Sequence, residues 1–163
     1  MIQDGLCITT WRARPVSFVS LMMLYESNYI RLRGLLNDAR AVSGHLISRS
    51  EEDCDLHLHL VEQCRHTSIL RLTYLFEDET GDVADPDLEV RVYHDARLAE
   101  ASQCAQWIRH PSLRQIRGSL SNTLGERWLR NMMLNKWLDY LAERGHCFIA
   151  SIGRPQTAVH EPE

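Results

Sequence analysis

Three segments of this chain alternate leucine with polar residues so strictly that they fit only strands of a sheet with one wet face. From Asp55 to Val61, Leu56, Leu58 and Leu60 fall on one side, and Asp55, His57 and His59 on the other. Ser68 to Phe76 repeats the pattern, with Leu70, Leu72, Tyr74 and Phe76 opposite Ile69, Arg71, Thr73 and Leu75. Leu88 to His94 places Leu88, Val90 and Val92 inward and Glu89, Arg91 and Tyr93 outward. Successive strand residues point to opposite faces, so these apolar sets form one continuous surface that other elements must cover. Residues 45–50 add a short first strand. After a turn at Asp95 to Arg97, Leu98 to Gln106 reads as a returning, less hydrophobic strand. The acidic run Glu77 to Asp87, with Gly81 and Pro86, is expected to break the strand as a loop. Cys147 to Ile152 is expected to be one more short strand.

Helices flank the strands. Between Val16 and Leu36, apolar residues recur at three- and four-residue steps (Val19, Met22, Met23, Tyr29, Leu32, Leu35, Leu36), after a proline that suits a first turn. Glu126 to Gly145 carries a second apolar stripe of Trp128, Leu129, Met132, Met133, Trp137, Leu138 and Leu141, and Gly145 suits the C-cap. Met22, Met23, Met132 and Met133 are expected to fill the space between the two helices. Pro111 to Gly125 is irregular and polar. The expected class is α+β: an antiparallel sheet of about five strands, with an N-terminal and a C-terminal helix on its leucine-rich face. Residues 1–14 read as a flexible arm, 15–152 as a single domain and 153–163 as a disordered tail.

Composition narrows the function classes. A net charge of -4 and a pI of about 6.1 give no electrostatic pull toward nucleic acid or an anionic membrane. No run approaches the roughly 20 apolar residues of a membrane span. Asp4 precedes any apolar stretch, unlike the basic-then-apolar order of a signal peptide. The cysteines at 7, 54, 64, 104 and 147 are odd in number and include no C-x-x-C, so reduced thiols in the cytoplasm are expected. Lys136 is the one lysine among 18 basic residues, and arginine is the better binder of anions.

Three motifs occur in a fixed order. They are the helix with Leu24-Tyr25-Glu26-Ser27-Asn28-Tyr29-Ile30-Arg31-Leu32, the strand and turn from Val90 to Glu100, and the late helix with Glu126-Arg127, Asn131, Leu134, Trp137 and Leu138. Together they resemble the YqiB-like family of bacterial proteins of unknown function. The resemblance spans roughly residues 16–146, nearly the whole expected domain. It implies a small cytoplasmic domain without an assigned reaction. Tyr25 stands where the family commonly has cysteine, Gly125 where it has an acidic residue, and His110-Pro111 where it has Tyr-Pro.

Few residues carry recognisable chemistry. His57 and His59, two apart on one strand, project from the same face, which is metal-ligand geometry if a third ligand approaches. The sequence defines no third ligand, and a solvated polar face is the ordinary reading. Tyr93-His94-Asp95 offers an acid or base with neighbours, yet strand parity sends Tyr93 outward and His94 to the rim of the buried face. Asp95 then makes the turn. Arg109, His110, Arg114, Arg117, Arg127 and Arg130 form a basic zone without a glycine-rich phosphate loop. The acidic run lacks the register of a calcium loop. Neither a nucleophile elbow nor a cofactor fingerprint occurs, so no cofactor is expected.

The leading expectation is a non-enzymatic domain that binds a protein partner through its open sheet face, with Arg91 and Tyr93 as anchors. The alternative is an enzyme or sensor for a small anionic ligand, a nucleotide or phosphorylated metabolite, held by Arg71, Arg91, Tyr93, His94 and Arg97. A flat, apolar-centred face favours the first. A deep pocket joining His94 to arginines favours the second.

Overall fold

The computed structural model describes residues 17–78, 81–104 and 124–149. The expected N-terminal arm and C-terminal tail, and Arg109, His110, Arg114 and Arg117 of the basic zone, lie outside the described residues. Helix α1 (Phe18–Leu36) starts where Ser17 and Ser20 cap each other: Ser20 N–H donates to the Ser17 hydroxyl at 3.2 Å, and Ser17 N–H donates to the Ser20 hydroxyl at 3.1 Å. Each bond satisfies a backbone donor that the first helical turn cannot. The helix ends at Asn37 (φ 64°), whose N–H returns to the Arg33 carbonyl at 2.7 Å. A single 3-10 turn, Ala39–Ala41, follows.

Five antiparallel strands then form a meander in sequence order: β1 (His45–Ser50), β2 (Asp53–Gln63), β3 (Thr67–Asp78), β4 (Gly81–Tyr93) and β5 (Leu98–Cys104). The acidic run is not a loop. β3 and β4 stay paired from Thr67 and Tyr93 out to Asp78 and Gly81. The ladder shifts register between Thr73 and Leu75, which pair with Asp87 and Ala84, so Pro86 falls inside the irregularity. A proline has no N–H to donate, and a bulge is one place in a sheet that does not ask for one. The rule that prolines and acids break strands was overridden by that bulge.

Helix α2 (Leu124–Glu143) closes the domain, and Gly145 (φ 78°) takes the left-handed position just beyond it. The described part of the segment after it, through Ile149, is not the expected strand. Its backbone instead bonds Ser48 Oγ from Cys147 N (3.0 Å) and the Leu35 carbonyl from Phe148 N (2.9 Å), and Phe148 is fully buried.

Both helices cover the leucine face. Leu32, Leu35 and Leu36 of α1 and Leu134, Leu138 and Leu141 of α2 meet Leu56, Leu58, Leu70, Leu72, Leu88, Val90 and Val92. Leu21, Leu24 and Tyr25 pack with Leu98, Trp128, Met22 and Met132 in a smaller cluster beside β5. Met23 departs from expectation and stands on the exposed side of α1. No helix among the described residues is long and apolar enough to cross a membrane.

Candidate functional site

Strand parity separates Tyr93 from His94, and the structure puts them on opposite sides of the sheet. His94 points inward, only 8% exposed, with Nε2 2.8 Å from Ser68 Oγ and its backbone N–H on the His66 carbonyl. It lines a cleft of about 640 Å³ between the end of α1 and the β4–β5 turn. Its lining is mainly polar: Arg33, Arg40 and Arg97 share it with Asp38, Asp95 and Tyr29, while Leu32, Leu36 and Val92 lie buried behind it. Both carboxylates are already engaged. Asp38 accepts Arg40 N–H at 2.9 Å in its capping role, and Asp95 pairs with His66 and with Arg40 at 3.5 Å. Burial first, and the Arg40 charge second, hold the His94 imidazole below its ordinary pKa, so it is neutral at pH 7. Among the described residues, the two non-glycine positions with positive φ are Asn37 (64°) and Arg97 (55°), and both line this cleft. Left-handed backbone at such residues is costly, and strain of this kind gathers at functional sites.

The opposite face carries the outward residues of the strands. Arg71 makes a two-pronged pair with Asp87, Nε and Nη2 each 2.8 Å from a carboxylate oxygen, and Thr73 Oγ1 donates to the same carboxylate at 2.8 Å. Tyr93 donates to Glu100 at 2.6 Å, and Arg91 hydrogen-bonds the Tyr93 side chain. At the β1 side, His57 and His59 are joined by His45, which sequence reasoning left out. His45 sits directly across from His59 in the β1–β2 ladder. Its Nε2 lies 2.9 Å from His57 Nδ1, and its ring stacks on His59 with centroids 3.9 Å apart and planes 7° off parallel. The signal that could have found it was parity across a hairpin whose register the sequence does not state.

The five residues proposed as one anion site therefore divide. Arg71, Arg91 and Tyr93 share the outer face, where Arg71 and Tyr93 are paired with neighbouring strands and Arg91 lies beside Tyr93 on its own strand. His94 and Arg97 share the cleft with Arg33 and Arg40, which sequence reasoning missed. α1 and the β4–β5 turn lie some 60 residues apart in the chain, and no local pattern announces that they meet.

Another arrangement looks catalytic and is not open to a substrate. Ser48 Oγ lies 3.2 Å from His146 Nδ1, and His146 Nε2 lies 3.4 Å from Asp53 Oδ2. Ser48 and His146 are each 4% exposed. Ser48 Oγ also accepts Cys147 N–H, and Asp53 takes the Tyr74 hydroxyl at 2.7 Å. This line ties the segment after α2 onto β1 and β2. A nucleophile needs a path to its substrate, and here burial removes it.

Residues 31–147 match the family model described as "Protein of unknown function (DUF1249)". The chain belongs to the DUF1249 family. Relatives include the proteins printed as "Uncharacterized protein YqiB" from Escherichia coli strain K12 and from E. coli O157:H7. Each is 28% identical over 134 residues, covering 78% of this chain and 90% of the relative. No solved structure matches. In this DUF1249 chain the motif residues Asn28 and Asn131 are architectural, since both are fully buried and hydrogen-bonded where α1, α2 and β5 meet. The DUF1249 match also covers the whole cleft lining except Tyr29, together with all three clustered histidines.

Proposed function

We propose that this domain binds a small anionic ligand, a phosphate ester or a carboxylate, in the cleft beneath the β4–β5 turn. The observation that carries this reading is the meeting of Arg33, Arg40 and Arg97 with buried His94 in one mainly polar cleft. The cleft volume lies in the range of roughly 300–1,000 Å³ usual for small-molecule sites. Guanidiniums match phosphate and carboxylate oxygens in forked hydrogen bonds. A neutral His94 can donate or accept a hydrogen bond without adding charge. The two left-handed residues support a cleft shaped for occupancy.

The test is a thermal-shift series on the full chain with inorganic phosphate, AMP, ATP and succinate at millimolar concentration. A ligand at ten times its Kd adds about 1.4 kcal/mol, or about 4 °C for a chain of this size. At least one anion should give that shift, and Arg33→Ala should abolish it. A flat series, or an equal shift in the variant, sinks the reading.

A second reading keeps the outer face as a surface for a protein partner. Its support is the adjacent Arg91 and Tyr93, hydrogen-bonded to each other on that face. It ranks lower because the middle of the face is charged and self-paired, with Arg71 on Asp87, rather than apolar. Arg91→Ala combined with Tyr93→Ala should abolish co-purification of a partner from cells, and an unchanged pull-down counts against this surface.

A further inference from the structure

We infer that His45, His57 and His59 form a binding site for a first-row divalent cation of the zinc class, with its fourth coordination position open to solvent. The three rings offer one ligand atom each, all within 4.8 Å of one another. The backbone holds them there. His57 and His59 leave the same face of β2, and His45 is the direct cross-strand partner of His59 on β1. Two imidazole nitrogens that bind one tetrahedral zinc at about 2.0–2.1 Å stand about 3.3 Å apart. His45 Nε2 and His57 Nδ1 stand at 2.9 Å, close to that spacing, and the His59 ring, stacked on His45 at 7° from parallel, must turn about its side-chain bonds to aim its lone pair at the same ion.

The rest of the outer face shows how this sheet treats charge when it binds nothing. Arg71 meets Asp87, and Tyr93 meets Glu100. At the β1 side the three histidine rings face one another, with His45 Nε2 2.9 Å from His57 Nδ1. Imidazole nitrogen favours zinc, nickel and copper over magnesium or calcium. His45 is exposed, so a water or an anionic group can reach the fourth position. Three protein ligands and one open place are the pattern of reactive zinc sites, whereas closed structural sites use four.

The test uses the full chain, stripped with chelator and titrated with Zn2+ by calorimetry and with Co2+ by visible absorption. One equivalent should bind per chain with a Kd at or below about 10 μM, and His45→Ala, His57→Ala and His59→Ala should each weaken binding at least about tenfold. His66→Ala, away from the cluster, should leave it unchanged. The cobalt spectrum should show tetrahedral bands without thiolate charge transfer, which separates this site from the cysteines. Because His45 stands exposed on a terminal strand, His45→Ala should keep the metal-free melting midpoint, so lost binding cannot be lost folding. Binding that survives all three histidine variants, a thiolate band, or no stoichiometric binding overturns the inference.

Discussion

Asn131 has no solvent exposure, yet three of the four hydrogen-bonding positions of its side-chain amide are used. Oδ1 accepts Ala101 N–H at 2.8 Å and Asn28 Nδ2 at 3.2 Å, while Nδ2 donates to the Arg127 carbonyl at 2.8 Å. Asn28 Nδ2 also reaches the Ala99 carbonyl at 3.3 Å, and Asn28 Oδ1 accepts from Asn135 at 2.9 Å. Two helices thus supply hydrogen bonds to β5, the last strand of the sheet, whose edge groups would otherwise need water or another strand. Truncating one member strands the others in a low-dielectric interior, which costs more than the bond itself is worth. Asn131→Ala should therefore lower stability by about 2–4 kcal/mol, read as a shift of the urea midpoint with an unchanged slope. A loss under about 0.5 kcal/mol would mean that the three asparagines do not act as a network.

The turn between β4 and β5 joins backbone strain to the cleft. Arg97 holds φ at 55° and lines the cleft with His94. If this residue is kept for its guanidinium and not for the fold, glycine at this position should separate the two roles. Arg97→Gly should raise stability by up to about 1 kcal/mol, a melting gain of up to about 3 °C, and should lose the anion-dependent shift. Lower stability with binding intact would reverse the argument. Element by element, the sheet was legible because alternation is a local property: the inward Leu56, Leu58, Leu70, Leu72 and Val90 are all buried. The β3–β4 arm was not, because the pairing across the Pro86 irregularity depends on a partner strand. The third histidine needed the β1–β2 register, and the cleft needed a contact between distant elements. Both are tertiary facts that no window of sequence contains.

At the scale of the whole molecule, three histidines in two separate places are displaced in the same direction. His45 and His59 on the outer face and His94 at the cleft are all held below the ordinary imidazole value, with burial as the leading cause in each. In the unfolded chain each takes up a proton near pH 6.5, whereas in the fold the same proton binds only at lower pH. Between those two points the unfolded state binds more protons, so stability falls as pH falls. The melting midpoint should be level from pH 8 to 7 and then drop by a few degrees toward pH 5. Asp53 belongs to a lower window. Burial alone would raise its pKa, but the Tyr74 hydroxyl and the Cys54 N–H stabilise the carboxylate and hold it below the usual range. Its contribution is present above about pH 4 and disappears below that. His45→Ala with His59→Ala should flatten the profile between pH 6.5 and 5 while leaving the steeper acid limb in place. Saturating Zn2+ should do the opposite and steepen the upper limb, because metal and proton compete for the same lone pairs. A midpoint independent of pH between 7 and 5 without zinc would show that the imidazoles titrate as they do in water.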